Sequence, residues 1–132
     1  MPILDLKISA EPSREMVAAA SEILLDLTTR ILHKQRELTA IAIDFVPAEH
    51  WVVGGRTLAD QGKRSVYLDI KVVDGTNTKD EKAAYVAAVF DAFARLLGDL
   101  HEESYVYVHD VRAEAYGYGG KTQEFRYIAA KK

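Results

Sequence analysis

The sequence predicts an α+β fold in which two tandem β-α-β repeats build a four-stranded sheet with two helices on one face. Three observations predict it. The first is internal repetition: Leu4-Asp5-Leu6-Lys7-Ile8 returns as Leu68-Asp69-Ile70-Lys71-Val72, and Trp51-Val52-Val53-Gly54-Gly55 returns as Tyr116-Gly117-Tyr118-Gly119-Gly120. The offsets are 64 residues (4 to 68) and 65 residues (51 to 116), so two matches in the same order differ by one inserted residue. The second is apolar, β-branched patterning at the start of each repeat, and the third is a capped amphipathic helix inside each.

The elements follow in order. Residues 2–8 read as a strand. Pro12-Ser13 opens a helix with Ser13 as N-cap, because its hydroxyl can accept an otherwise orphaned backbone N–H. Val17, Ala20, Leu24, Leu27 and Ile31 form its apolar stripe at three- and four-residue steps. A strand at about 39–46 leads to Gly54-Gly55, where unhindered φ permits a tight hairpin. The polar run Gln61-Gly62-Lys63-Arg64 connects the halves. The second repeat starts with a strand at 66–73. Its helix opens at Thr78, and Glu81 completes a capping box three residues on. Val86, Phe90, Phe93 and Leu97 are its expected inner stripe, and Gly98 its left-handed C-cap. A strand at 105–111 then meets Gly119-Gly120. The whole chain, 1–132, reads as one domain with repeats at 2–60 and 65–128. Two helices cover one sheet face. Ile41, Ile43, Val106 and Val108 are then expected on the other, where self-association would bury them.

Composition narrows the function. A formal net charge of −3 gives no electrostatic reason for a nucleic-acid or membrane partner. There is no cysteine, which excludes disulfides, thiolate nucleophiles and Cys-ligated metals. Asp5 and Lys7 interrupt the N-terminal apolar residues, so this stretch reads as neither signal peptide nor membrane span, and a cytoplasmic protein is expected. No cofactor motif stands out. His101-Glu102-Glu103 lacks the second histidine of a zinc helix, so no metal is expected. Gly117-Tyr118-Gly119-Gly120 opens no helix and so does not read as a phosphate loop.

Proline directly after the initiator Met, a β-α-β unit of about sixty residues and a terminal Gly-Gly hairpin together resemble the tautomerase superfamily. Pro2 to Gly55 looks like one subunit of 4-oxalocrotonate tautomerase, and Val66 to Gly120 like a second. The fused form is similar to cis-3-chloroacrylic acid dehalogenase, malonate semialdehyde decarboxylase and macrophage migration inhibitory factor. Val46-Pro47-Ala48-Glu49-His50-Trp51-Val52-Val53-Gly54-Gly55 looks most like the dehalogenase. The resemblance implies a homotrimer with sheets at its centre. It also implies one cofactor-independent site per chain, because the second repeat has Arg64, Ser65 or Val66 where the first has Pro2.

With Met1 removed, Pro2 becomes a secondary amine that can accept a proton. An apolar pocket penalises the ammonium form, leaving neutral amine available to move a proton next to a carbonyl. Left protonated, the same nitrogen can assist addition of water to an unsaturated acid; as a nucleophile it can form an iminium and promote decarboxylation. The leading expectation is therefore a tautomerase acting on a small enol or keto acid, with Pro2 as base. The alternatives are a hydratase, dehalogenase or decarboxylase of a small unsaturated or 3-oxo acid, and a catalytically inactive member of the fold. By resemblance, Tyr107 is the polar assistant beside the proline, and Tyr116 and Tyr118 wall the pocket. The family's carboxylate-binding arginines match positions near Pro12 and Ala40, with Thr76 or Asn77 and Tyr105 in the second repeat, and Val73 to Asn77 holds no arginine either. Substitute cations are sought in Lys71 and Arg112, and also in Lys7, Arg14 and Arg56.

Overall fold

In a computed structural model, residues 2–131 are described; Met1 and Lys132, and with them the question of whether Met1 is removed, lie outside the described residues. The elements run β1 (Ile3–Ile8), α1 (Arg14–Arg30), β2 (Ala40–Phe45), β3 (Val52–Val53), β4 (Arg56–Thr57), α2 (Leu58–Gln61), β5 (Val66–Val73), α3 (Lys79–Leu97), β6 (Tyr105–Val111), β7 (Gly117–Tyr118), β8 (Lys121–Thr122) and α4 (Gln123–Ala130). The main sheet has the order β2-β1-β5-β6. Each repeat supplies a parallel pair, β1 with β2 and β5 with β6, and the repeats meet through antiparallel β1 and β5. Leu6 faces Leu68 across that junction.

Local chemistry explains the boundaries. Ser13 accepts the Met16 N–H at 2.9 Å, and Thr78 and Glu81 form the reciprocal capping box. Gly54-Gly55 and Gly119-Gly120 adopt positive φ in two matching hairpins, β3–β4 and β7–β8. Gly98 also has positive φ, but its ψ of 154° is extended, so it turns the chain without the left-handed cap expected from sequence. The polar connection begins one residue later than expected: Gln61 ends the short helix α2, which Gly62 closes at φ 64°. The short helices α2 and α4 each follow a hairpin and were not anticipated from sequence.

Strand alternation decides which sheet face is dry. Leu4, Leu6 and Ile8 of β1 and Val66, Leu68, Ile70 and Val72 of β5 are fully buried beneath α1 and α3. Burying each such side chain is worth about 1.5–3 kcal/mol. Ile41, Ile43, Val106 and Val108 pack against this same core. That corrects the expectation that they occupy the uncovered face: the register aligns Ile41 with Leu4 and Val106 with Leu68, so all four point toward the helices. The uncovered face carries the alternate residues instead, among them Asp5, Lys7, Tyr67, Asp69, Lys71, Tyr107 and His109. Lys7 pairs with Asp5 at 3.9 Å and Lys71 with Asp69 at 3.0 Å.

The α3 stripe is turned by about one residue from expectation. Tyr85, Val89 and Phe93 are buried, whereas Val86 is exposed. Tyr85 can enter the core because its hydroxyl shares a 2.9 Å hydrogen bond with the buried Thr28 of α1. Burial pushes its phenol up to about 12, whereas an unfolded tyrosine ionises near 10. The stability associated with this protonated phenol is therefore full below about pH 10 and is lost as pH rises toward 12. A shift of that size corresponds to roughly 2–3 kcal/mol. Tyr85→Phe is expected to remove this alkaline loss while costing about 1–3 kcal/mol at neutral pH, since it leaves the Thr28 hydroxyl unpartnered. Denaturant titrations across that pH range measure both effects.

Candidate active site

The antiparallel β1–β5 junction brings the end of the second repeat to the start of the first. Ile3 pairs with Lys71, so the chain leaving β6 arrives beside Pro2. There the β7–β8 hairpin and α4 close a cavity of about 300 Å³ lined by Pro2, Ile3, Leu38, Ala40, Tyr116, Gly117, Tyr118 and Gln123. Pro2 is buried and its carbonyl accepts the Ala40 N–H at 3.2 Å. It precedes a central strand at the first position, where a missing N–H breaks no ladder bond.

The lining is largely apolar, an environment that disfavours charge on a titratable amine. Polar groups enter from the second repeat. Burial pushes the Tyr116 phenol above its ordinary value, and as a protonated phenol it can donate a hydrogen bond at neutral pH. The Tyr116 carbonyl accepts the Gln123 N–H at 2.9 Å, which fixes α4 against the hairpin. Among the described residues, no group of three or more His, Asp or Glu is placed to hold a metal. No helix among them is long and apolar enough to cross a membrane.

Of the residues expected at the site, the structure brings together Pro2, Tyr116 and Tyr118. Tyr107 is not in this chain's cavity lining. It lies half-exposed on β6, on the uncovered sheet face, with its ring stacked 5.2 Å from that of His109. Lys71 shares that face and is paired to Asp69; Arg112 lies 3.7 Å from Glu114 and is well exposed. Neither lines the cavity.

Arg126 was missed from the sequence. Its guanidinium lies 3.8 Å from the centroid of the Tyr118 ring, and its Nη2 donates to the Tyr118 carbonyl at 2.9 Å. The available signal was the repeat itself: at the 65-residue offset Arg126 matches Gln61, whose amide donates to the Val53 carbonyl at 3.0 Å in the first hairpin. The same offset relates the two helices that follow the hairpins, α2 and α4.

A larger cavity, about 580 Å³, lies at the opposite end of β1, where Ser9, Lys63 and Arg64 meet Glu11, Glu49 and Asp99. It mixes both signs of charge and sits where the second repeat lacks a proline. The smaller cavity is the one that holds a candidate base.

Known proteins bear on this geometry. The family model described as "Tautomerase enzyme" matches residues 67–126. Among solved structures, the chain is similar to Pt0534 inactivated by 2-oxo-3-pentynoate, with 15% identity over 93% of this chain and 98% of that one, at a TM-score of 0.80. It is similar to the R7 fused 4-OT wild-type asymmetric trimer, with 21% identity, 94% and 98% coverage, and a TM-score of 0.80. It is also similar to N1, a member of the cis-3-chloroacrylic acid dehalogenase family, with 20% identity, 96% and 90% coverage, and a TM-score of 0.75. No curated protein sequence matches the chain. At these identities the structural likenesses establish the fold.

Proposed function

From the tautomerase family model matching residues 67–126 and the fold shared with the fused 4-OT structures, we propose that this chain is a fused two-repeat member of the tautomerase superfamily, a cofactor-independent tautomerase of a small enol or keto acid using the Pro2 amine exposed by removal of Met1. One observation carries this reading: Pro2 is buried in an apolar cavity walled by Tyr116 and Tyr118 of the second repeat. A neutral secondary amine there removes the enol hydroxyl proton, and its resulting ammonium delivers a proton to the carbon. Tyr116, whose phenol is protonated at neutral pH, donates a hydrogen bond to the oxygen on which negative charge develops. The apolar lining keeps water from competing for that proton. Inactivation of a structural relative by 2-oxo-3-pentynoate, an electrophilic keto acid, accords with an amine site of this kind.

Assembly supplies what one chain lacks. The uncovered sheet face carries paired charges and aromatic rings, and we assign it to a homotrimer interface, as in the fused 4-OT trimers similar to this chain. Tyr107 lies on that face and would serve a neighbouring copy's site. Light scattering coupled to size exclusion is expected to give three times the chain mass of 14.7 kDa; the mass of a single chain would remove Tyr107 from the mechanism.

The reading is tested by intact-mass determination of the natural N-terminus followed by ketonisation assays on 2-hydroxymuconate and phenylenolpyruvate. Loss of Met1 and saturable catalysis are expected. Retained Met1 would convert the Pro2 nitrogen to an amide and end the amine mechanism.

A further inference from the structure

The cavity needs a cation if its substrate is an acid, and none of the cations expected from sequence lines it; Lys71 and Arg112 are paired elsewhere with Asp69 and Glu114. We propose that Arg126 is the anion-binding group of the Pro2 cavity and that the substrate is accordingly a monocarboxylate, its carboxylate directed toward the β7–β8 hairpin. This rests on the tautomerase reading for the identity of the reaction, though not for binding itself.

Four observations converge on Arg126. Its guanidinium lies on the ring of Tyr118, a cavity wall. It occupies the position three residues after Gln123, another lining residue, so the two lie on one side of α4. Among the described residues no carboxylate pairs with it, and its Nε is buried without a hydrogen-bond partner. Gln61 makes the corresponding bond to the first hairpin with a neutral amide, so the hairpin latch does not require charge. The second repeat places a full positive charge at that position, beside the cavity containing Pro2. Arg126 is half-buried, and its buried Nε–H, left without a partner, is a donor that a ligand oxygen can satisfy. Lys121, the other cation of this hairpin, is exposed, its ammonium 5.7 Å from the Phe125 ring centroid. One cation at the cavity wall suits one carboxylate.

Arg126→Gln tests this, because it installs the side chain that already performs the latch in the first repeat. The expected result is a 10- to 100-fold (order-of-magnitude) rise in KM for phenylenolpyruvate with kcat little changed, from loss of a charge-assisted hydrogen bond. The dissociation constant of phenylpyruvate, measured by ligand-observed NMR without turnover, should rise equally, while its methyl ester binds wild type and variant alike. Equal weakening of acid and ester would mean that Arg126 is only a latch, and unchanged binding of both would also overturn the proposal. The NMR arm does not depend on catalysis. A failure there with Pro2-dependent activity intact rejects Arg126 alone, whereas acid-selective binding without ketonisation rejects the reaction and retains the cation site.

Discussion

Pro2→Ala is expected to lower kcat/KM for ketonisation by about 10²- to 10⁴-fold, the range contributed by a positioned general acid–base group. The substitution is mild in structural terms. Pro2 contributes a backbone carbonyl to the Ala40 N–H, and alanine retains that acceptor. What changes is the nitrogen. After Met1 removal the variant carries a primary amine, without the pyrrolidine ring that lines the cavity beside Ile3 and Leu38. Some activity should survive, because the tyrosine donor and the cavity remain. Stopped-flow ketonisation measures the ratio, with thermal unfolding as the control for folding. A variant as fast as wild type would place the chemistry elsewhere.

Gly117→Ala should also be damaging, by a different route. A Cβ at Gly117 would stand 1.9 Å from the Lys121 carbonyl oxygen and 2.7 Å from the Thr122 Cα. Both contacts are backbone, so no side-chain rotation relieves them. The ladder pair of Gly117 with Thr122 must open. Tyr116 and Tyr118 flank this glycine, so the walls of the Pro2 cavity move with it. A drop of at least about 10-fold in kcat/KM is expected, since small misplacement of positioning groups can cost up to 10²-fold. The main sheet should keep its stability because β7 and β8 form a separate two-stranded unit. Crystallography or hydrogen exchange of the hairpin checks the cause. Gly54→Ala offers the contrast: nothing lies within 4 Å of its added Cβ, so only the strain of φ 63° remains, in the hairpin of the other repeat.

These two residues also show how far the sequence carried the account. The repeat, the capping residues and the Gly-Gly turns are local or periodic features, and each was legible because short-range hydrogen bonding enforces it. The strand faces were not. Whether Ile41 points inward depends on register with Leu4, a non-local pairing that alternation alone leaves two-fold ambiguous. The displaced α3 stripe had a similar origin. Tyr85 looks like a surface residue until Thr28, 57 residues away, provides a partner for its hydroxyl. At the site, Pro2 and the hairpin tyrosines could be named from the resemblance, yet their meeting follows from the antiparallel β1–β5 junction. Arg126 escaped because arginine on a short terminal helix ordinarily signals a solvated surface.

The central claim is that Pro2 presents a titratable secondary amine. Nitrogen-15 NMR of the natural protein labelled at proline measures this directly. The predicted result is a Pro2 resonance that shifts with pH and whose midpoint coincides with the rising limb of kcat/KM for ketonisation. A resonance with an amide shift that does not move with pH would contradict the mechanism.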